Sequence, residues 1–133
     1  METKIAMRID HFALYVNDLE QTREFFETYF GVQSGAKYHN RNTDFQSYFL
    51  TFADGNRLEI MTRPQLAPAV DADPRLGYHH LSIGVGSKTA VDELTNQLTA
   101  AGYRLVSGPR TTGDGYYESC VEGPEGILLE LTV

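Results

Sequence analysis

Apolar and polar residues alternate through IDHFALYV (9–16), the period of two that a strand imposes on its faces. The period then changes. In DLEQTREFFETYFG (18–31), Leu19, Thr22, Phe26, Tyr29 and Phe30 recur at helical spacing, with Asp18 placed to cap the start and Gly31 the end. Two further strands, FQSYFLTF (45–52) and NRLEIMT (56–62), flank Ala53-Asp54-Gly55, and Asp-Gly marks a tight hairpin turn. A short strand near Ala36–Tyr38 is expected in the long segment between Gly31 and Phe45. RPQLAPAVDADPRLG (63–77) holds three prolines and no clear period, so it reads as a linker. The first pattern then returns. HLSIGV (80–85) alternates, and SKTAVDELTNQLTAAG (87–102) presents Ser87 as N-cap and Val91, Leu94, Leu98 and Ala101 on one face, ending at Gly102. Strands in YRLVSG, YYESCVEG and ILLELTV complete the second half.

The halves superimpose as sequence. HFALYV (11–16) matches HLSIGV (80–85), and DGNRLEIMT (54–62) matches EGILLELTV (125–133). His11 precedes Glu59 by 48 positions and His80 precedes Glu130 by 50. Such a repeat predicts an α+β fold of two tandem βαβββ modules, each a sheet backed by one helix. Module one covers 5–62, the linker 63–77 and module two 78–133, within a single domain 1–133. One such sheet is too small to stand alone, so the two are expected to pair as a half-open barrel with a concave cleft.

The terminal strand raises a question of chemistry. Ile127, Leu128, Leu129 and Leu131 read as buried, yet Glu130 lies among them. A carboxylate deprived of water costs several kcal/mol unless it is paired or bound to metal. Alternation places Glu130 opposite Ile127, Leu129, Leu131 and Val133, and Glu59 opposite Leu58 and Ile60. By the same phase His11 shares a face with Ala13 and Tyr15, and His80 with Ser82 and Gly84, whereas His79 falls on the helix-facing side. His11, Glu59, His80 and Glu130 are therefore all expected to point into the concavity. Any one of them alone is an ordinary structural His or solvated Glu; their recurrence as pairs is the signal. Two imidazoles and two carboxylates suit one divalent first-row ion, Ni, Zn or Co first and Mn or Fe next, with coordination positions left open for catalysis.

Composition narrows the classes. The chain has 133 residues, 41% hydrophobic and 22% charged, with a net charge of −7. No Lys/Arg cluster offers the phosphate neutralisation that nucleic acid requires, and the acidity disfavours an anionic membrane. Cys120 is the single cysteine, which excludes an internal disulfide and fits a reducing compartment. METKIAMRID lacks the apolar region of a signal peptide, so a cytoplasmic location is expected. Cys120 itself, with no basic neighbour in sequence, reads as a small core residue.

DHFALYVNDLEQTREFFETYFG, RLEIMT, GYHHLSIGV and GPEGILLELTV resemble the vicinal oxygen chelate superfamily, that of glyoxalase I, extradiol dioxygenases, methylmalonyl-CoA epimerase, fosfomycin-resistance thiol transferases and metal-free bleomycin-binding proteins. The resemblance covers nearly the whole chain and implies the glyoxalase/bleomycin-resistance/dioxygenase fold. The complete set of His11, Glu59, His80 and Glu130 is most similar to glyoxalase I, a lyase of methylglyoxal detoxification. That resemblance implies isomerisation of a hemithioacetal, formed from a 2-oxoaldehyde and a thiol, to an S-2-hydroxyacyl thioester through a metal-stabilised enediolate. Glu130 is then the catalytic base and Glu59 the steadier ligand. The alternatives are another metalloenzyme on the scaffold (thiol transferase, epimerase or dioxygenase) and a metal-free small-molecule-binding protein.

Tyr15 stands where glyoxalase I carries an Arg, and Arg63 where it carries an Asn, so the glutathione cradle is not reproduced. Tyr15, Arg57, Arg63 and Tyr116 are the expected substrate contacts, with Arg57 and Arg63 suited to an anionic group. TTGDGYYES (111–119) reads either as a lid over the cavity or as a plain hairpin turn. Family members of this length commonly dimerise, which implies a homodimer with two metal sites.

Overall fold

The structure, a computed structural model, describes residues 5–133; METK, the start of the stretch read for a leader, lies outside the described residues. The chain forms two compact units, Met1–Ala67 and Pro68–Val133, and their boundary falls inside the proline-containing segment. Among the described residues no helix is long and apolar enough to cross a membrane.

Unit one runs β1 (His11–Tyr15), α1 (Leu19–Phe30), β2 (Gln33–Ser34), β3 (Tyr38–Asn40), β4 (Phe45–Thr51) and β5 (Arg57–Thr62). Its sheet has the order β1-β5-β4-β2, with β3 also paired to β4; β1 and β5 are parallel and the other pairs antiparallel. The Asp18 carboxylate accepts from Gln21 N at 2.9 Å, satisfying one of the free N–H groups that open α1. Gly31 ends it at φ 64°, a left-handed conformation that glycine adopts without strain. The expected short strand is displaced: Tyr38 begins β3, and Gln33–Ser34 pair with β4 as well.

The core of this unit packs Leu19, Phe25 and Phe26 of α1 on Leu50, Leu58 and Ile60. Phe25 joins this set although the helical spacing singles out Phe26, Tyr29 and Phe30; its buried ring meets Phe26 edge to face at 5.2 Å and Tyr29 at 5.2 Å. Phe12, by phase a core residue, is 45% exposed. The reason is that α1 lies over β4 and β5, not over the start of β1. At the rim, Tyr48 Oη donates to Glu20 Oε1 at 2.8 Å, and Arg23 and Lys37 approach the same carboxylate at 3.0 and 3.3 Å.

Unit two runs β6 (Leu81–Gly84), α2 (Lys88–Ala100), β7 (Arg104–Thr111), β8 (Tyr117–Glu122) and β9 (Leu128–Thr132), in the order β6-β9-β8-β7. β6 and β9 are parallel, as β1 and β5 are. Ser87 Oγ accepts from Ala90 N at 3.1 Å to cap α2. Val91 and Leu98 are fully buried, but Thr95 occupies the core where Leu94 and Ala101 were expected, and Ala101 is exposed. The threonine is tolerated because its hydroxyl donates to Val91 O at 2.6 Å and meets Ser119 Oγ of β8 at 2.7 Å.

β7 continues past Gly108 to Thr111, and 112–116 form a hairpin turn rather than a separate loop. Thr112 N donates to Tyr116 O at 2.7 Å and Gly115 N to Thr112 O at 3.0 Å. The same two bonds, at 2.8 and 2.9 Å, close Phe52–Asn56 around the other Asp-Gly. At Gly108, φ is +81° and an added Cβ would fall 2.5 Å from Glu118 O. Gly108→Ala is therefore expected to lower stability by about 1–3 kcal/mol. Gly113→Ala, at a site with open space, is expected to be nearly silent. Urea unfolding midpoints of the two variants check this contrast.

Candidate functional site

In unit one, the parallel register of β1 and β5 sets Ala13 opposite Glu59, so His11, two residues earlier on the same face, is the diagonal neighbour of Glu59. His11 Nε2 lies 3.5 Å from Glu59 Oε1. The other ring nitrogen is engaged: Nδ1–H donates to Asp10 Oδ2 at 2.8 Å. Arg57 Nη2 donates to the same oxygen at 2.7 Å, and Arg8 Nη2 reaches Oδ1 at 3.2 Å. The hydrogen bond from His11 and the positive charge of Arg57 outweigh partial desolvation and hold the Asp10 carboxyl below its ordinary range. Phe49, opposite Glu59 on β4, meets the His11 ring edge-on at 5.1 Å and carries the Arg57 guanidinium over its face at 4.6 Å.

Unit two repeats the offset. Ser82 is opposite Glu130 in the parallel register of β6 and β9, and His80 stands two residues before Ser82. His80 Nε2 lies 3.1 Å from Glu130 Oε2, while Ser82 Oγ donates to Oε1 at 2.8 Å. Ala13 occupies the matching place in unit one and offers Glu59 no hydroxyl. His79 departs from the expected helix-facing position. β6 begins only at Leu81, so strand alternation covers neither His79 nor His80, and the two rings meet with Nδ1 of His79 2.8 Å from Nδ1 of His80.

A cavity of about 170 Å³ opens on this face, lined by His79, His80, Arg110, Glu118, Cys120 and Glu130 among others. Burial, then the hydrogen bond and charge of Glu130, push the Glu118 carboxyl above its ordinary range. Cys120, opposite Glu130 on β8, is half-buried and lines the cavity, so it is not the core residue its sequence context suggested. Burial and the charges of Glu130 and Glu118 push its thiol up.

The remaining expected residues are surface groups. Tyr15, 51% exposed, shares the His11 face of β1. Arg63 is exposed just past β5, and Tyr116 is exposed in the 112–116 turn. Arg57, expected as a substrate contact, is engaged by Asp10 and Phe49. Alternation singled out Glu59 and Glu130 with His11 and His80, but Asp10, Phe49, Ser82 and Glu118 escaped it. Ser82 alone had a readable signal, its phase with His80. The others depend on side-chain reach and cross-strand register.

Within neither unit do three or more His, Cys, Asp or Glu side chains gather in a geometry that would hold a metal, among the described residues. Each unit holds one His–Glu pair, and the chemistry of each pair suits a divalent ion. Borderline imidazole nitrogen with hard carboxylate oxygen suits first-row divalent metals. Neighbouring ligand atoms around an ion with bonds of about 2.0–2.2 Å stand roughly 3.0–3.5 Å apart, and the observed separations are 3.5 and 3.1 Å. Both imidazoles use Nδ1 elsewhere, which leaves Nε2 for the ion.

The chain belongs to the Glyoxalase/Bleomycin resistance protein/Dioxygenase superfamily, whose family model matches residues 8–131. It is 32% identical over 127 residues to "Uncharacterized protein YqjT" of Bacillus subtilis (strain 168), covering 91% of this chain and 94% of that one. Its fold is that of a glyoxalase family protein from Bacillus cereus, with a TM-score of 0.82 at 22% identity, over 99% of this chain and 97% of that one. It also resembles the genomically encoded fosfomycin resistance protein FosX from Listeria monocytogenes, solved with Mn(II) and sulfate, with a TM-score of 0.73 at 19% identity, over 97% and 93% of the two chains.

Cys120, the single cysteine, gives a direct probe of this face. Because the Glu130 charge disfavours its thiolate, Glu130→Gln is expected to speed alkylation of Cys120 by iodoacetamide near pH 8, in chelator-treated protein. Mass spectrometry against time checks it; an unchanged or slower rate contradicts the placement.

Proposed function

We propose that the chain is a metal-dependent lyase of the glyoxalase I type, isomerising the hemithioacetal of a 2-oxoaldehyde and a small thiol to an S-2-hydroxyacyl thioester. The observation that carries this reading is the matched pair: His Nε2 beside a Glu oxygen at 3.5 Å in unit one and 3.1 Å in unit two, at the same register offset. His11, Glu59, His80 and Glu130 are the proposed ligands of one divalent ion per site, Ni, Zn or Co first. Such an ion, when bound, supplies Lewis acidity for two neighbouring substrate oxygens and for the negative charge that develops as a proton leaves carbon.

The protein's own part is positioning and proton transfer. Ser82 holds Glu130 by Oε1, and Oε2 takes the proton from one carbon and returns it to its neighbour. Glu59 stays beside His11 as the steadier ligand. Arg63, exposed past β5, receives an anionic end of the thiol moiety, and Tyr15 and Tyr116 flank the substrate. The thiol need not be glutathione, since Tyr15 and Arg63 replace the residues that serve it in glyoxalase I.

A homodimer is part of the same reading. Ile5, Met7 and Ile9 alternate ahead of β1 at 82%, 92% and 65% exposure, and Phe12 follows at 45%. That much apolar side chain in one stretch supports a second copy as its cover.

Chelator-stripped protein, reloaded with Ni(II), Co(II) or Zn(II), is expected to form thioester from methylglyoxal and a low-molecular-weight thiol. Glu130→Ala should lower kcat by about 10²–10⁴-fold while still retaining measurable metal. No turnover with any of these ions, together with no metal retained on purification, sinks the reading. Light scattering is expected to give twice the chain mass.

A further inference from the structure

The contacts around His11 close into a ring. Its Nδ1–H donates to Asp10 Oδ2 at 2.8 Å, Arg57 Nη2 donates to that same oxygen at 2.7 Å, the Arg57 guanidinium lies 4.6 Å over the Phe49 ring, and Phe49 meets the His11 ring at 5.1 Å. The register builds this ring into the sheet, for His11 pairs with Arg57 across β1 and β5, and Phe49 pairs with Glu59 across β4 and β5. Among the described residues nothing comparable surrounds His80. Its Nδ1 meets another imidazole, His79, and the nearest carboxylate to that second ring, Asp73, stands 3.9 Å away.

We propose that Asp10, Arg57 and Phe49 are positioning residues that fix the His11 imidazole in one tautomer and one orientation, with Nε2 presented beside Glu59 for a divalent ion. The inference rests on the metal reading of the His11–Glu59 pair. It assigns Arg57 away from substrate. Its Nη2 donates to Asp10 and its plane lies over Phe49, which ties the guanidinium to the His11 surroundings. A single acceptor oxygen serves both donors, so Arg57 holds Asp10 in the place where Asp10 holds His11. The carboxylate also fixes which nitrogen carries the proton, since an acceptor at Nδ1 requires the proton there and leaves the Nε2 lone pair free.

Two measurements test this on the full chain. In metal-free protein, long-range ¹⁵N–¹H NMR is expected to find the His11 proton on Nδ1, and Asp10→Ala is expected to move His11 toward the Nε2–H form. In Co(II) titrations read by the visible spectrum and by chelator competition, Asp10→Ala should weaken binding by about 10–100-fold. Asp10→Asn, whose amide oxygen still accepts from Nδ1–H, should recover most of the affinity. Arg57→Ala should weaken binding less, and in the Asp10→Ala background it should add little, because the two act through one contact. A proton on Nε2 in the native chain, or Co(II) affinity in Asp10→Ala equal to native, overturns the proposal. A native chain that keeps the Nδ1 proton yet binds no Co(II) overturns the metal reading instead and leaves the ring's hold on His11 supported.

Discussion

Parallel pairing of the first and last strand in each unit is the constraint on which the site depends. Antiparallel neighbours can be joined by a turn, but parallel ones need a crossover, and here the crossover is a helix and two or more further strands. The arrangement brings residues almost fifty positions apart onto adjacent strands. It does so with one offset in both units: each glutamate faces the residue two beyond its histidine. A slip of one residue would turn both carboxylates to the helix side, where Leu58, Ile60, Leu129 and Leu131 leave no room for a charge. The apolar faces therefore fix where the polar chemistry sits.

Much of this was legible in the sequence because the relevant signals are periodic or punctuated. Asp18, Gly31, Ser87 and Asp54-Gly55 mark ends and turns by local chemistry, and the structure uses each as read; Asp114-Gly115, open to a lid or a hairpin in sequence, closes a hairpin turn. Alternation assigned Glu59 and Glu130 to the open faces correctly, since period two is a property of the backbone alone. It failed where a neighbour decides the outcome. Phe12 is exposed because the helix covers other strands, and Thr95 is buried because Ser119 meets its hydroxyl. His79 and His80 both lie before their strand begins, so the period that separated them did not apply.

The surroundings of the two His–Glu pairs were the least legible part. Asp10 and Arg57 stand 47 positions apart, and only the register of β1 on β5 brings them together. The two units also restrain opposite members of the pair. In unit one the imidazole is bound by a carboxylate and packed by an aromatic ring, while Glu59 has Ala13 beside it. In unit two the carboxylate is held by Ser82, while the imidazole leans on a second one. A repeat read as sequence predicts equal halves; Ala13 against Ser82 and Phe49 against Cys120 make them unequal.

The buried hydroxyl pair of Thr95 and Ser119 has a counterpart in unit one that works by other means. There the helix is tied to the sheet at the rim, through Tyr48, Arg23 and Lys37 around the Glu20 carboxylate. Those donors outweigh the burial that opposes ionisation and keep Glu20 below its ordinary range. A group so depressed adds stability above its unfolded pKa and surrenders it as pH falls through the folded one. The Thr95–Ser119 contact carries no charge and has nothing to surrender. Both helices are thus fastened at the rim by a tyrosine that donates to a helix carboxylate, Tyr48 to Glu20 and Tyr117 to Asp92, but the second also has a buried uncharged pin in Thr95–Ser119 that acid and salt do not loosen.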